Sequence, residues 1–295
     1  MADVASHGEV RNDPRANPRV DPHSEARVYV VGSRQKRPNR PPVQGCPFCP
    51  GGLEAPDPYE VRWFRNRWPA MAGDRCEVVL YTPEHDAPFW GLGVPGARRV
   101  VDLWAERTAA LGARDDVDYV LVFENRGAEV GATIPHPHGQ IYAYDHVPAR
   151  PARLFGNGWA PDPAPGERAV AELGGWRAWV PYAPVYPVAV TFAPVERVPD
   201  LPHLDEAGRD GLAAILVDVL HRLDRLWDRE LPYMLWINQA PQDGGPWHDP
   251  WLSVELVSPW RAAGVQRFIA AAEVGGGEYF NPVVPEQLAA DLRVS

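Results

Sequence analysis

The stretch HPHGQIYAY, residues 136–144, decides how the rest of the chain is read. Its Pro-rich lead-in followed by β-favouring residues predicts a strand. On an extended segment His136 and His138 share a face at i and i+2, unless Pro137 turns one of them away. An imidazole with an ordinary pKa near 6.5 is largely neutral at pH 7, which suits it to nucleophilic attack or metal ligation. Gly139 allows a phosphate to approach the backbone closely, and Gln140 adds an amide donor for a phosphoryl oxygen or a leaving group. The bland alternative is a solvated turn with incidental histidines. Two of the chain's nine histidines within three positions, with Gly-Gln behind them, weigh against it.

Working outward, strands are expected at Val28–Val31, Val61–Phe64, Glu77–Thr82 and Tyr119–Phe123. Between the last two lies a helix over 97–113, with Val100, Leu103, Trp104, Thr108 and Leu111 on one face. A Gly-rich turn, ENRGAEVGATIP, leads into HPHGQIYAY. Residues 150–175 are rich in Pro, Gly and Ala and read as a linker. Beyond them come strands at Trp176–Pro181 and Val188–Phe192, and a helix at about 206–229 striped by Leu212, Ile215, Leu216, Val219, Leu220, Leu223 and Trp227. Strands at Tyr233–Asn238 and Leu252–Val257 follow. The order strand, strand, helix, strand, turn, strand therefore occurs twice, with Asn125 and Asn238 closing the strand before each turn. That pattern is an internal duplication. The expected fold is α+β, a mostly antiparallel sheet with one main helix per repeat packed on it. The first repeat, 1–150, carries HPHGQ. The second, 151–295, has only WHDPWLSVELV (247–257) in the matching place, with His248 alone, and reads as non-catalytic.

Composition narrows the function. The 295 residues carry 29 basic and 39 acidic side chains, a net charge of −10, which argues against binding a nucleic-acid backbone through Lys and Arg. The 34 prolines favour short elements joined by rigid turns over a long helical bundle. No apolar run approaches 18 residues, and the first residues are polar without an apolar signal core, so a cytoplasmic protein is expected. The chain's one compact basic cluster, Arg34, Lys36 and Arg37, suits a small anion, since guanidinium forks match phosphate oxygens. Trp63, Phe64, Asn66 and Arg67 could stack on and hydrogen-bond a base, or serve only as core and edge.

Three cysteines are too few for a disulfide scaffold. Cys46 and Cys49 form a C-x-x-C between prolines, which favours zinc with partners among Cys76, His85 and His136. A redox dithiol and unbound buried thiols are the rival readings; for the first, the thioredoxin-like βαβ pattern is missing.

In order, RVDPHSEARVYVVGSRQKRP, CPFC, FRNRWPA, FENRG and HPHGQIYAY resemble the motif set of the galactose-1-phosphate uridylyltransferases, a branch of the histidine-triad superfamily built from two such repeats. The match spans residues 19 to about 145 and continues more loosely through 176–260 and the C-terminal segment. The resemblance implies ping-pong transfer of UMP from UDP-glucose to galactose 1-phosphate or a related sugar 1-phosphate, with a covalent nucleotidyl-histidine at His138. Gln140 would bind a phosphoryl oxygen, and Asn125 and Thr133 would help hold the charge. Cys46, Cys49, His85 and His136 would bind a structural zinc. Phe64 and Asn66 match positions that contact base and ribose. Arg34 and Arg37 match phosphate-contacting positions reached from a neighbouring subunit, which implies a homodimer with shared active sites. Arg267 and Phe268 fall in the segment lining the sugar.

Two departures stand out. Some family members hold a second metal with histidines of the second repeat; here that region reads Asn238, Ser253 and Glu255, so no second site is expected. Ala270, Ala271 and Ala272 replace bulkier or polar residues near the sugar, which leaves the hexose open. An adenylyl-transferring ADP-sugar phosphorylase of the same fold, or a catalytically inactive sugar-nucleotide-binding protein, are the alternatives.

Overall fold

A computed structural model describes residues 18–32, 34 and 45–295. Strands β1 (Pro18–Val20) and β2 (Arg27–Tyr29) form a small hairpin. Then follow β3 (Arg62–Arg65), β4 (Cys76–Leu80), helix α1 (Gly93–Gly112), β5 (Tyr119–Arg126) and β6 (His138–Tyr144). After a short helix α2 (Ala149–Gly156) come β7 (Ala169–Leu173), β8 (Trp176–Trp179), β9 (Val188–Pro194), helix α3 (Glu206–Arg225), β10 (Tyr233–Asn238) and β11 (Ser253–Ser258). A two-stranded ribbon, β12 (Trp260–Ala262) and β13 (Val265–Gln266), and helices α4 (Ala271–Gly276) and α5 (Pro285–Val294) complete the chain.

Nine strands form one sheet in the order β3-β4-β6-β5-β10-β11-β9-β8-β7, with every neighbouring pair antiparallel. The first repeat contributes β3-β4-β6-β5 and the second β8-β9-β11-β10, the same spatial order. The halves meet where β5 pairs with β10, Phe123 opposite Trp236. This is the duplicated α+β architecture that the sequence predicts, with β7 added at one edge.

Strand alternation divides the sheet into two faces. Val120, Val122, Ile141, Ala143, Leu235, Ile237, Val254 and Leu256 point to the helices and join one continuous core with Val100, Trp104, Leu212, Ile215, Leu216 and Val219. The apolar stripe of α3 is anchored at its start by Asp205, which accepts a hydrogen bond from Gly208 N at 2.7 Å. Arg222 and Arg225 in its last turn complement the helix dipole.

The structure departs from expectation in three places. Helix α3 stops at Arg225 rather than 229, and Asp228 just beyond it adopts φ 49°, which ends helical geometry. The N-terminal strand covers Arg27–Tyr29 and not Val31. The stretch read as a linker contains α2 and β7. In α2 the buried Pro151 and Phe155 fix one side of a helix too short for periodicity to reveal, and Val170 of β7 joins the main core.

Candidate active site

The same alternation positions the chemistry. Gly139, Ile141 and Ala143 of β6 are buried towards the helices, while His138, Gln140 and Tyr142 occupy the other face. Gln140 stands opposite Val78 of β4 and Phe123 of β5. Counting two residues on from Phe123 brings Asn125 opposite His138.

Gly139 is required here. A Cβ on residue 139 would fall on the Tyr81 hydroxyl and stand 3.1 Å from the Phe123 carbonyl oxygen. Gly139→Ala is therefore expected to destabilise the fold by about 3 kcal/mol through overpacking, measured by urea denaturation.

His136 and His138 receive different partners. His138 Nδ1 lies 2.8 Å from the His136 carbonyl oxygen. That bond requires the proton on Nδ1, so the ring's lone pair is on Nε2. The His138 ring packs edge-on against Phe48, with centroids 5.1 Å apart. His136 is buried; its Nε2 donates to the Thr82 carbonyl oxygen at 2.8 Å and lies 3.0 Å from the Tyr59 hydroxyl, while Nδ1 faces Cys49 Sγ at 3.6 Å. Burial lowers the His136 pKa and keeps the ring neutral, its ligating form.

Cys46, Cys49, His85 and His136 bring their ligand atoms within 4.8 Å of one another. Cys49 Sγ is 3.5 Å from His85 Nδ1 and 3.6 Å from His136 Nδ1. A tetrahedral ion with metal–sulfur and metal–nitrogen bonds of about 2.3 and 2.0 Å has sulfur–nitrogen edges of about 3.5 Å. The donor set fits a metal. Cys76, the other candidate thiol, is buried with Ala70 and Met71 and pairs with Tyr142 at the far end of β6.

Two clefts meet at His138. One, of about 240 Å³, is lined by Phe48, Leu53, Phe64, Asn66, Trp68 and Gln140. The other, of about 690 Å³, is lined by Asn125, Arg126, Gly127, Glu129, Pro232 and Trp260. His138, Thr133 and Ile134 line both. In the smaller cleft Asn66 Nδ2 donates to Gln140 Oε1 at 3.2 Å and Asn66 Oδ1 accepts from Trp68 N at 2.9 Å. These bonds hold Gln140 with its carboxamide oxygen towards Asn66. Arg67 pairs with Glu54 at 3.1 Å on the wall of this cleft.

Three expected residues lie elsewhere. Arg34 lies within electrostatic reach of Cys76, towards the Tyr142 end of β6. Arg267 is buried, bonded to Glu273 and to the Phe280 carbonyl oxygen, and Phe268 is 74% exposed; neither lines either cleft of its own chain. Arg37 is outside the described residues. Sequence reasoning passed over Glu124, which is buried and lines the larger cleft. Its signal was an acid in register with Val120 and Val122 on the core face of β5.

The second repeat supplies a comparison. Taking Asn238 as the counterpart of Asn125, the pairing of Trp236 with Glu255 matches that of Phe123 with Gln140. Ser253 and Glu255 therefore occupy the places of His138 and Gln140. Asn238 Nδ2 donates to Ser253 Oγ and Glu255 Oε1, and Arg150 Nη2 donates to both Glu255 oxygens at 2.7 Å.

A duplicated antiparallel sheet with H-x-H leading into one interior strand defines a histidine-triad-type protein with two repeats. Residues 67–148 match the family model described as galactose-1-phosphate uridyl transferase, N-terminal domain. The chain is 33% identical to a galactose-1-phosphate uridylyltransferase of Thermotoga maritima over 93% of its length and 97% of the relative's. It is 41% identical to one of Streptomyces lividans, over 79% and 70%. The chain belongs to the galactose-1-phosphate uridylyltransferase family. Its fold matches a solved uridylyltransferase with TM-score 0.82 at 24% identity, covering 94% and 97% of the two chains. It also matches an ADP-glucose phosphorylase of Arabidopsis thaliana solved with bound ADP-glucose, TM-score 0.72 at 21% identity over 95% and 99%. Among the described residues no helix is long and apolar enough to cross a membrane.

Proposed function

We propose that this chain transfers a uridylyl group from a UDP-hexose to a second hexose 1-phosphate through a covalent intermediate on His138. The observation that carries the reading is the Nδ1 contact of His138 with the His136 carbonyl, which directs the Nε2 lone pair at the junction of two clefts. In the first half-reaction Nε2 bonds to the α-phosphorus as the bond to the bridging oxygen breaks, and the hexose 1-phosphate leaves with that electron pair. A phosphate oxygen of the second sugar phosphate then attacks phosphorus and the imidazole departs with its lone pair. In-line displacement puts nucleophile and leaving group on opposite sides of phosphorus. Accordingly the smaller cleft takes the nucleoside, against Phe64 and Asn66, and the larger takes the sugar phosphate beside Asn125 and Thr133. The Gln140 amide, aimed through Asn66, donates to a non-bridging oxygen, a fixed dipole of the kind that stabilises developing charge.

The metal held by Cys46, Cys49, His85 and His136 is zinc by the chemistry of the donor set, and its role is to brace the strand entrance. Arg34, Arg37, Arg267 and Phe268 belong to a homodimer in which each subunit completes the other's site; this accounts for the absence of Arg34, Arg267 and Phe268 from the clefts of their own chain. The repeat boundary falls near residue 150, and the enzyme works in the cytoplasm.

The base is decided by trapping. Protein mixed with UDP-glucose labelled at the α-phosphate is expected to carry label, whereas labelled ADP-glucose leaves at least tenfold less. Stronger labelling by ADP-glucose would reassign the chain to adenylyl transfer, and no labelling by either would leave a binding protein.

A further inference from the structure

Behind the catalytic strand lies a buried polar cluster that the transfer reaction as described does not use. Glu124 Oε1 accepts from the Tyr233 hydroxyl at 2.7 Å. Glu124 also interacts with the Tyr81 hydroxyl, yet that hydroxyl and Glu124 Oε2 are buried and complete no hydrogen bond of standard geometry. Tyr81 is wedged between Phe89 and Trp104, with ring centroids 5.5 and 5.8 Å away. Its hydroxyl fills the space beneath Gly139, between His138 and Gln140.

We propose that Glu124 is a positioning residue for nucleotidyl transfer: from the buried side of β6 it acts, through the Tyr81 hydroxyl lodged under Gly139, on the strand that presents His138 and Gln140 on the other side. The inference rests on His138 being the nucleophile.

The protonated carboxyl donates from Oε2 to Tyr81 while Oε1 accepts from Tyr233, so the chain closes without net charge. Ionisation removes that donor and reverses the bond, because Tyr81 must then donate to a carboxylate. A shift of this hydroxyl is felt at residue 139, where there is no spare room. The groups facing Glu124 are few. Tyr81 follows β4, Tyr233 comes from β10, and Arg126 from β5 itself, the last neutralised by Asp224 of α3. Helix α1 contributes Trp104 to the Tyr81 side, and β6 contributes Gly139. Burial outweighs these partners and pushes the Glu124 pKa up to about 7, so the proton is exchanged near neutral pH.

The test is the single-turnover rate at which labelled UDP-glucose marks the protein, compared at pH 6.5 and 8.5, alongside melting temperature against pH. An acid titrating near 7 goes from mostly protonated to about 3% protonated over this interval, so the wild-type rate should fall about twentyfold. Glu124→Gln, whose amide mimics the protonated carboxyl, should reduce the fall to under threefold. It should also flatten the melting curve's dependence on pH. The sign follows from linkage: a carboxyl with a raised folded pKa contributes stability below its unfolded pKa, near 4.5, and loses it as pH rises towards 7. Tyr81→Phe should likewise flatten the rate ratio but keep the wild-type dependence of melting on pH, a result a purely structural role would not produce. An unchanged twentyfold fall in Glu124→Gln, or a uniform loss of rate at both pH values, would overturn the proposal. Absence of labelling in the wild type at either pH would instead remove the transfer reading, and this proposal with it.

Discussion

His138→Asn is expected to carry no nucleotide after incubation with any labelled UDP-sugar, and to exchange sugar phosphates at a rate lower by at least about four orders of magnitude. The size of the effect follows from what the side chain contributes. Its Nε2 lone pair forms the bond to phosphorus, and an asparagine amide nitrogen, whose lone pair is delocalised into the carbonyl, cannot replace it. Asparagine preserves the polarity and much of the volume of imidazole, so both clefts should still bind substrate, and ligand-induced stabilisation should persist. Loss of labelling with retained binding is therefore the expected pair of results. Intact-protein mass spectrometry checks the first and a thermal shift with UDP-glucose the second. Full labelling of the variant would place the nucleophile elsewhere, and His136 is the nearest alternative imidazole.

Why His138 and not His136 was only partly legible in the sequence. Spacing put both imidazoles on one extended segment, but the tertiary partners distinguish them. Cys49 and the Thr82 carbonyl claim His136, and the His136 backbone then claims Nδ1 of His138. The duplication was legible because each repeat carries its own long apolar helix and its own Asn-closed strand. The order in which the strands pair was not, because the β5–β10 seam joining the repeats depends on contacts about 110 residues apart that no local pattern encodes. Glu124 was quoted within FENRG but passed over, since a charged residue beside a reactive motif reads as exposed until the register of Val120 and Val122 is taken into account. The short α2 was hidden by its prolines and its length. Arg34, Arg267 and Phe268 are readable as motif matches alone; one chain does not bring them to His138.

Cys46→Ser is expected to lose the metal, about one zinc per chain by elemental analysis, and with it about 3–5 kcal/mol of stability in a denaturant titration. That range is well below the full binding energy of a structural zinc, since the nine-stranded core persists without it. The effect should also reach the chemistry. His136 is at once a candidate ligand through Nδ1 and the backbone anchor of His138 through its carbonyl. Releasing the knuckle frees the residue whose backbone holds the nucleophile's Nδ1 proton, so labelling of His138 should slow in the same variant, where a brace remote from the site would leave it alone. Burial raises the Cys49 thiol pKa, so without a cation nearby that sulfur favours its protonated form and supplies no charge to hold the two imidazoles together. Cys76→Ser separates this from a general effect of thiol loss. Cys76 packs with Ala70 and Met71 away from the cluster, and its serine variant should keep the metal and the labelling rate. Equal metal loss in both variants, or full occupancy in Cys46→Ser, would show that the four-residue cluster is not the binding site.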